Sequence, residues 1–346
     1  MPTGCKYGTH RVIEPAGVMP QAAWKIDNTM EIRDNEILIR VQTLNIDAAS
    51  FTQIKKEAEY DDARIGEIMM GIVANRGKHH NPVTGSGGML IGTVEQVGPA
   101  LAAKTDLVAG DRIATLVSLS LTPLVINRIL KVHQDTDQVD IEGHAILFES
   151  GIYAKLPDDM PDSLSLAVLD VAGAPAQTAK LVKPGDTVLI IGAGGKSGLL
   201  CMYEARKRAG VTGKVIAMAH SAASRARAES LGYADLVLAG DATRPLDILH
   251  MIEDATDGRL ADVTINCVNI PGTEMSSILC TKEGGLVYFF SMATSFTAAA
   301  LGAEGVGHDV TMLVGNGYTR GHAQIALETL RESPKLRRLF EELYAR

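Results

Sequence analysis

Apolar and polar positions follow two different rhythms along this chain, and the rhythm changes near residue 160. In the first part, NEILIRVQTLNID (35–47), GMLIGTVEQVGP (88–99), DRIATLV (111–117) and HAILFESGIYAKLP (144–157) alternate apolar with polar residues between Gly, Pro and Asp. A period of two buries one face of a strand and leaves the other wet, so these segments predict a mostly antiparallel β domain. In the second part the apolar runs are unbroken and rich in β-branched residues. TVLII (187–191), GKVIAMAH (213–220), ADLVLAGD (234–241), ADVTINCVN (261–269), GLVYFFSM (285–292) and DVTMLVGNG (309–317) read as strands. SRARAESLG (224–232), PLDILHMIEDATDG (245–258) and TEMSSILCTKEGG (273–285) read as helices between them. Strands covered on both faces and alternating with helices predict a parallel, doubly wound sheet with right-handed crossovers. The chain is therefore expected to be α/β, with a β-rich substrate domain over 1–160 and a Rossmann dinucleotide-binding domain over 161–320. A helical segment over 321–346 is expected to return towards the first domain.

Length and charge narrow the classes of function. The 346 residues suffice for two domains with sizeable cores. A formal net charge of −8, without clusters of Lys and Arg interleaved with aromatics, argues against nucleic acid as a partner. The N-terminal stretch lacks the apolar core and cleavage site of a secretory signal. Residues 284–303 lack charges, but their Gly, Ser and Thr content suits a buried strand and crossover better than a membrane helix. A cytoplasmic protein with no membrane partner is expected. Cys5, Cys201, Cys267 and Cys280 are scattered without metal-ligand spacing or a disulfide framework.

The sharpest local signal is the strand 187–191 followed by GAGGKSG. Gly192, Gly195 and Gly198 form G-x-x-G-x-x-G, and Gly194, Lys196 and Ser197 complete the turn into a helix. Strand before and helix after turn a weak glycine motif into a dinucleotide fingerprint, in which helix N–H groups receive the pyrophosphate. The bland alternative is simple punctuation between two elements. Choice of nucleotide is read at the end of the second strand, where an NAD site usually places Asp or Glu. Here the strand runs into Ala219-His220-Ser221, and Arg225 follows. A hydroxyl and a guanidinium suit a 2′-phosphate, so the cofactor is NAD or NADP, with residues 219–225 leaning to NADP. Val268, Asn269, Ser291 and Met292 lie at the ends of later strands, where the nicotinamide ribose and ring are expected. Cys267 among them has no base beside it in sequence and reads as an inert thiol.

A β-rich domain followed by a Rossmann domain resembles the medium-chain dehydrogenase/reductase superfamily over nearly the whole chain. GTVEQVGP, VAGDRIATL and the run from YAKLPDDMPDSLSLAV to the glycine fingerprint carry the likeness. It implies a GroES-like first domain and an active site in the cleft between the domains. Two departures stand out. Zinc alcohol dehydrogenases carry Gly-His-Glu where this chain has Gly87-Gly88-Met89, and a ligating cysteine where it has Leu44 or Asn45. Fewer than three protein ligands do not make a catalytic zinc site, so chemistry without metal is expected. Within the superfamily, RGKHHNPVTGSGGMLIGTVEQVG with LNIDAASFTQI resembles the L-erythro-3,5-diaminohexanoate dehydrogenase family. That resemblance implies oxidation of a small diamino acid at its 3-amino group, as in lysine fermentation.

Oxidising an amine needs a base to deprotonate it, and later a water to attack the imine. Asp47 falls in the loop corresponding to the family's first zinc ligand, and Asp170 close to that of the third. Either can serve as base or attract ammonium charge, while the bland readings make Asp47 a helix cap before Ala48 and leave Asp170 solvated. Arg76, Lys78, His79 and His80 precede the glycine-rich turn that holds Ser86, and together they offer donors for a substrate carboxylate. The alternative is a solvated basic loop. A zinc-independent enone or quinone reductase is the competing activity, and a non-catalytic nucleotide-binding protein the competitor from another class. The run TMLVGNG (311–317) suits a strand that pairs across a two-fold axis, so a homodimer is expected.

Overall fold

The computed structural model describes residues 2–291, 293–315 and 317–345. The chain divides into two compact units, Met1–Asp158 and Asp159–Arg346. Met292 and Asn316, parts of the sequence expectations, lie outside the described residues.

The first unit is built on an antiparallel sheet. After the short pair β1 (Val12–Glu14) and β2 (Lys25–Ile26) comes the long strand β3 (Glu36–Ile46). β3 pairs on one side with β4 (Gly88–Val97) and on the other with β7 (Gln138–Phe148). With β5 (Arg112–Thr115), β6 (Leu124–His133) and β8 (Tyr153–Lys155), the order among the described residues is β6-β7-β3-β4-β5-β8. Two helices follow β3 directly, α1 (Ala48–Glu57) and α2 (Asp62–Arg76). They close the core: Phe51, Ile54, Ile65 and Met69 pack with Ile39, Leu44 and Ile46, all buried. At the strand's start, Glu36 and Arg11 form a buried two-point ion pair, with Oε1–Nε at 2.6 Å and Oε2–Nη2 at 2.7 Å. Arg11 also donates to the carbonyls of Thr29 and Glu31, so it fastens the entry segment to the sheet.

The second unit has the parallel sheet that the sequence predicts. Helices α3 (Asp162–Leu169) and α4 (Gly173–Leu181) lead into β9 (Thr187–Ile191), α5 (Lys196–Ala209), β10 (Lys214–Ala219), α6 (Ala222–Leu231), β11 (Leu236–Ala239), α7 (Pro245–Thr256) and β12 (Ala261–Asn266). The chain continues through α8 (Glu274–Leu279), β13 (Thr281–Phe289), α9 (Phe296–Val306), β14 (Thr311–Val314), α10 (His322–Glu332) and α11 (Pro334–Tyr344). Every described pairing is parallel, in the order β11-β10-β9-β12-β13-β14. The order reverses between β9 and β12, and a doubly wound sheet opens a ligand crevice at that switch point.

One expectation is corrected. The helix expected over 273–285 stops at Leu279: the Thr281 hydroxyl lies within hydrogen-bond distance of both the Ser277 carbonyl and the Thr264 hydroxyl, and residue 281 opens β13. The C-terminal helices belong to the second unit. Helices α10 and α11 pack on α3 and α10 also on α4, and Arg331 forks onto the Asp159 carboxylate at 2.9 and 3.0 Å. Their buried residues, among them Leu330, Leu336 and Phe340, supply the apolar area that holds them there. Among the described residues, no helix is long and apolar enough to cross a membrane.

Candidate active site and cofactor cavity

The crevice of the second unit is a cavity of about 570 Å³ over the β9–α5 turn. Gly192, Gly194, Gly195, Lys196 and Ser197 line it, together with His220, Ser224, Arg227, Asp241, Val268 and Asn269. The turn demands glycine for reasons of space. A Cβ on Gly194 would lie 2.1 Å from the Ser224 carbonyl oxygen, and one on Gly198 2.3 Å from that of Gly192. Above Gly195, by contrast, a Cβ would meet only the Gly192 oxygen at 3.5 Å, so this peptide faces open room. No side chain caps α5, leaving its first-turn N–H groups turned to the cavity with the positive end of the helix dipole. The shape and donors fit a dinucleotide.

The ribose end departs from expectation. Ser221 does not line the cavity; its hydroxyl accepts from the Ser224 N–H and closes a capping box at the start of α6. Arg225 does not line it either and pairs along the helix with Glu229. Ser224 and Arg227 occupy the place instead, and the Arg227 Nε donates to the Gly194 carbonyl at 2.9 Å. Their i, i+3 spacing on one helix face was the sequence signal that could have found them. His220 stays on the cavity wall, and Asp241 joins it from the end of β11. Thr243 donates to Asp241 from both its N–H and its hydroxyl, which holds that carboxyl below its ordinary pKa. Val268 and Asn269 line the cavity; Ser291 does not, but reaches the Asn269 side chain at 3.4 Å. Cys267 also lines the cavity, with its sulfur 3.9 Å from that of buried Cys201, and the hydrogen bond with that second thiol, together with burial, pushes its pKa well up. Such a thiol is inert.

Asp170 closes α3, and its carboxylate accepts from Lys196 Nζ at 3.0 Å. The carboxylate that neither caps nor lies loose in solvent is Asp47. It precedes α1 yet makes no side-chain cap; its Oδ2 accepts the Gly87 N–H at 3.0 Å instead. Gly87 itself is tightly enclosed, since a Cβ there would lie 2.6 Å from the Ser120 nitrogen and 2.7 Å from the His79 oxygen. The turn is folded over α1 by three hydroxyls, with Ser50 Oγ at 2.6 Å from both Thr84 Oγ1 and Ser86 Oγ. Asn81 braces it, accepting from the Val83 N–H and donating to Gln53.

The basic residues before this turn are not where a substrate would meet them. Arg76 is buried, stacked over Trp24 at 4.1 Å, and donates to the carbonyls of Trp24 and His80. Lys78 is fully buried and donates to the carbonyls of Pro20 and Gln21; burial, with help from the Arg76 charge, lowers its pKa to about 8. The donors of Arg76 and Lys78, expected for a substrate carboxylate, instead meet the backbone carbonyls of Trp24 and His80 and of Pro20 and Gln21. His79 is also fully buried, and neither ring nitrogen has a hydrogen-bond partner. Burial pushes its pKa down to about 4, with the Gly87 carbonyl opposing the shift. His80, half-buried, is lowered to about 4 by burial and by the charges of Lys78 and Arg76. Of the expected substrate residues, Ser86 and half-buried His80 face partly outward, Ser86 beside Asp47's partner Gly87.

Comparison with known proteins decides the family. A profile described as "L-erythro-3,5-diaminohexanoate dehydrogenase N-terminal domain" matches residues 10–157, and one described as "Zinc-binding dehydrogenase" matches 198–303. Proteins called L-erythro-3,5-diaminohexanoate dehydrogenase from Acetoanaerobium sticklandii and Fusobacterium nucleatum subsp. nucleatum are each 61% identical to this chain. The alignments span 341 and 344 residues, which is 99% of this chain in both cases and 99% and 100% of the relatives. The chain belongs to the L-erythro-3,5-diaminohexanoate dehydrogenase family. More distant structures share the fold of this diaminohexanoate dehydrogenase family member. AibC superposes with a TM-score of 0.55 at 20% identity, covering 88% of this chain and 79% of that one. Escherichia coli quinone oxidoreductase complexed with NADPH superposes at 0.54 and 18%, covering 90% and 84%. Although one matching profile carries zinc in its description, the described residues of this family member contain no group of three or more His, Cys, Asp or Glu placed to hold a metal ion.

Proposed function

We propose that this protein oxidises L-erythro-3,5-diaminohexanoate at its 3-amino group, giving 5-amino-3-oxohexanoate and ammonium. The observation that carries this reading is the 61% identity, over essentially full length, to two dehydrogenases of that name. NAD(P), once bound, accepts the hydride from C3. The protein's own part is to deprotonate and hold the amine. Asp47 is the base: its Oδ2 is anchored by the Gly87 N–H, in a loop from which the family's metal ligands are missing. Asp170 holds Lys196 at the mouth of the cofactor turn and so serves the nucleotide rather than the amine. A homodimer fits β14 as the outer strand of its sheet. Incubation with diaminohexanoate, simpler amines, alcohols and enones, followed by nicotinamide absorbance and ammonium release, tests the reading. Reduction of enones with no amine turnover would overturn it.

The activity needs no metal, since Leu44 is a buried core residue and Gly87-Gly88-Met89 offers no ligand of the zinc-enzyme type. Prolonged chelation leaves turnover at the untreated rate; stoichiometric zinc whose removal abolishes activity would contradict this. The nucleotide is NADP in preference to NAD, because Arg227 and Ser224 face the cavity near His220 and no carboxylate ends β10. Arg227→Ala then weakens NADP more than NAD by about 1.5–3 kcal/mol, as expected for a charge-assisted contact. Arg225→Ala leaves the ratio of the two affinities unaltered. Titrations with both nucleotides check this, and an equal loss for both on replacing Arg227 would refute the 2′-phosphate role.

A further inference from the structure

We propose that the hydroxyls of Ser50, Thr84 and Ser86 receive the substrate's second ammonium group, the one on C5 that is not oxidised. This rests on the activity proposed above. The three oxygens form a closed triangle, with Ser50 at 2.6 Å from each of the others and Thr84 3.2 Å from Ser86. Each hydroxyl owns one hydrogen and two lone pairs. Three contacts among three groups consume the three hydrogens, so what the triangle presents outward is lone pairs. One of these is engaged weakly by the Ser86 N–H, 3.4 Å from Thr84 Oγ1; the rest accept. The neighbouring amide is also spent, since the Asn81 nitrogen donates to Gln53 and its oxygen accepts from the backbone of Val83 and Thr84.

The charge around the triangle has the same sense. Arg76 and Lys78, which precede the turn, are buried and directed onto backbone carbonyls, and Lys55, five residues from Ser50, is held by the Asp137 carboxylate at 2.9 Å. Gly87, next in the chain after Ser86, donates to the Asp47 carboxylate. A site of outward acceptors beside a carboxylate suits an N–H-rich cation and repels a carboxylate. The substrate has such a cation one carbon removed from the reacting amine's own carbon, C4 separating C3 from C5. Ser86 and the anchor of Asp47 are likewise adjacent along the turn. The turn is therefore a specificity device for 1,3-diamines, and not the carboxylate clamp that its basic residues suggest in sequence. Thr84 is exposed and Ser86 half-buried, so two corners are open to a ligand, while fully buried Ser50 holds them together.

The test compares diaminohexanoate with 3-aminohexanoate, which lacks the second amine, in the wild type, Ser86→Ala and Thr84→Ala. The ratio of kcat/KM for the two substrates falls about 10–100-fold in Ser86→Ala, the size of a lost charged hydrogen bond, mainly through KM for the diamine. An unaltered ratio in both variants, with both substrates falling in parallel, would mean that the triangle only braces the turn and would overturn the proposal. Calorimetric binding of 5-aminohexanoate, which has the second amine but no reacting one, separates this from the activity. If Ser86→Ala weakens that binding while the wild type does not oxidise diaminohexanoate, the ammonium site stands and the proposed activity fails. Oxidation in the wild type with binding of 5-aminohexanoate unaffected by both variants overturns the site alone.

Discussion

Asp47→Asn lowers turnover of the diamino acid by about 10²–10⁴-fold while nucleotide affinity stays nearly intact, the loss typical of a missing general base. Asparagine keeps the side chain's shape and an oxygen for the Gly87 N–H, which Asp47 holds at 3.0 Å, but it accepts no proton. The pH profile carries the sharper signature. In the wild type, kcat/KM rises with pH through one ionisation, and in Asp47→Asn that limb disappears. Asp170→Asn serves as the contrast. It releases Lys196, so it raises the nucleotide dissociation constant and retains the limb. A normal rate and an intact profile in Asp47→Asn would place the base elsewhere in the chain.

Acid destabilises the first unit through His79, over a pH window that can be stated in advance. The imidazole is fully buried without partners and its pKa is pushed down to about 4, so the folded state resists the proton that the unfolded chain accepts near 6.5. A base whose pKa is lowered by folding contributes its full stability above the unfolded value. That contribution is lost as pH falls from about 6.5 to about 4, and a shift of this size amounts to ~3 kcal/mol. His80 adds a smaller share of the same sign, smaller because solvent screens a half-exposed ring. The buried Arg11–Glu36 pair acts at lower pH. Burial raises the Glu36 pKa, the Arg11 contacts more than offset that, and its net depression places the loss below the ordinary carboxylate range. Urea melts between pH 7.5 and 4.5 on wild type and His79→Leu separate the terms. The variant's stability falls much less over this range, because an apolar side chain of similar bulk has no proton to take up. Parallel curves for the two proteins would remove His79 as the cause.

The Rossmann unit was readable because the inner strands β9, β10 and β12 are short buried runs between helices, and β-branched runs of that length have few other homes. Two features of the first unit escaped. The hairpin of β6 and β7 turns at residues 134–137 with Asp137 at φ 56°, so the glycine that usually marks such a turn is absent. Helix α2 carries Gly66 and Gly71 inside DARIGEIMMGIVANR, which lowers its helical signal; packing supplies what propensity lacks, with Gly66 letting Ile129 of β6 approach to 3.1 Å of its Cβ position. In the candidate site, the sequence proposes Asp47 and Ser86 from their places in the loop and turn. Arg76 and Lys78 meet backbone carbonyls that the sequence does not announce. Basic residues beside a glycine-rich turn look like ligand donors, and nothing local reveals that the carbonyls of residues 20–24 will take them first. Arg225 was preferred to Arg227 by nearness to the strand end, whereas two residues along a helix turn a side chain to a different face.

The backbone at Gly88 leaves no room for a side chain. The resemblance to zinc alcohol dehydrogenases implies a histidine at this point of the turn. Here the residue sits at φ 115°, and the first side-chain carbon would fall 2.1 Å from the Asn45 carbonyl oxygen and 2.8 Å from the Ile46 Cα. Gly88→His alone therefore cannot restore a ligand, because the end of β3 would have to shift before the new ring had anywhere to go. Each strand end is held in register by the other, Asn45 opposite Met89 and Ile46 opposite Gly88. The two strand ends thus interlock around a glycine, and any side chain at residue 88 requires both of them to move together.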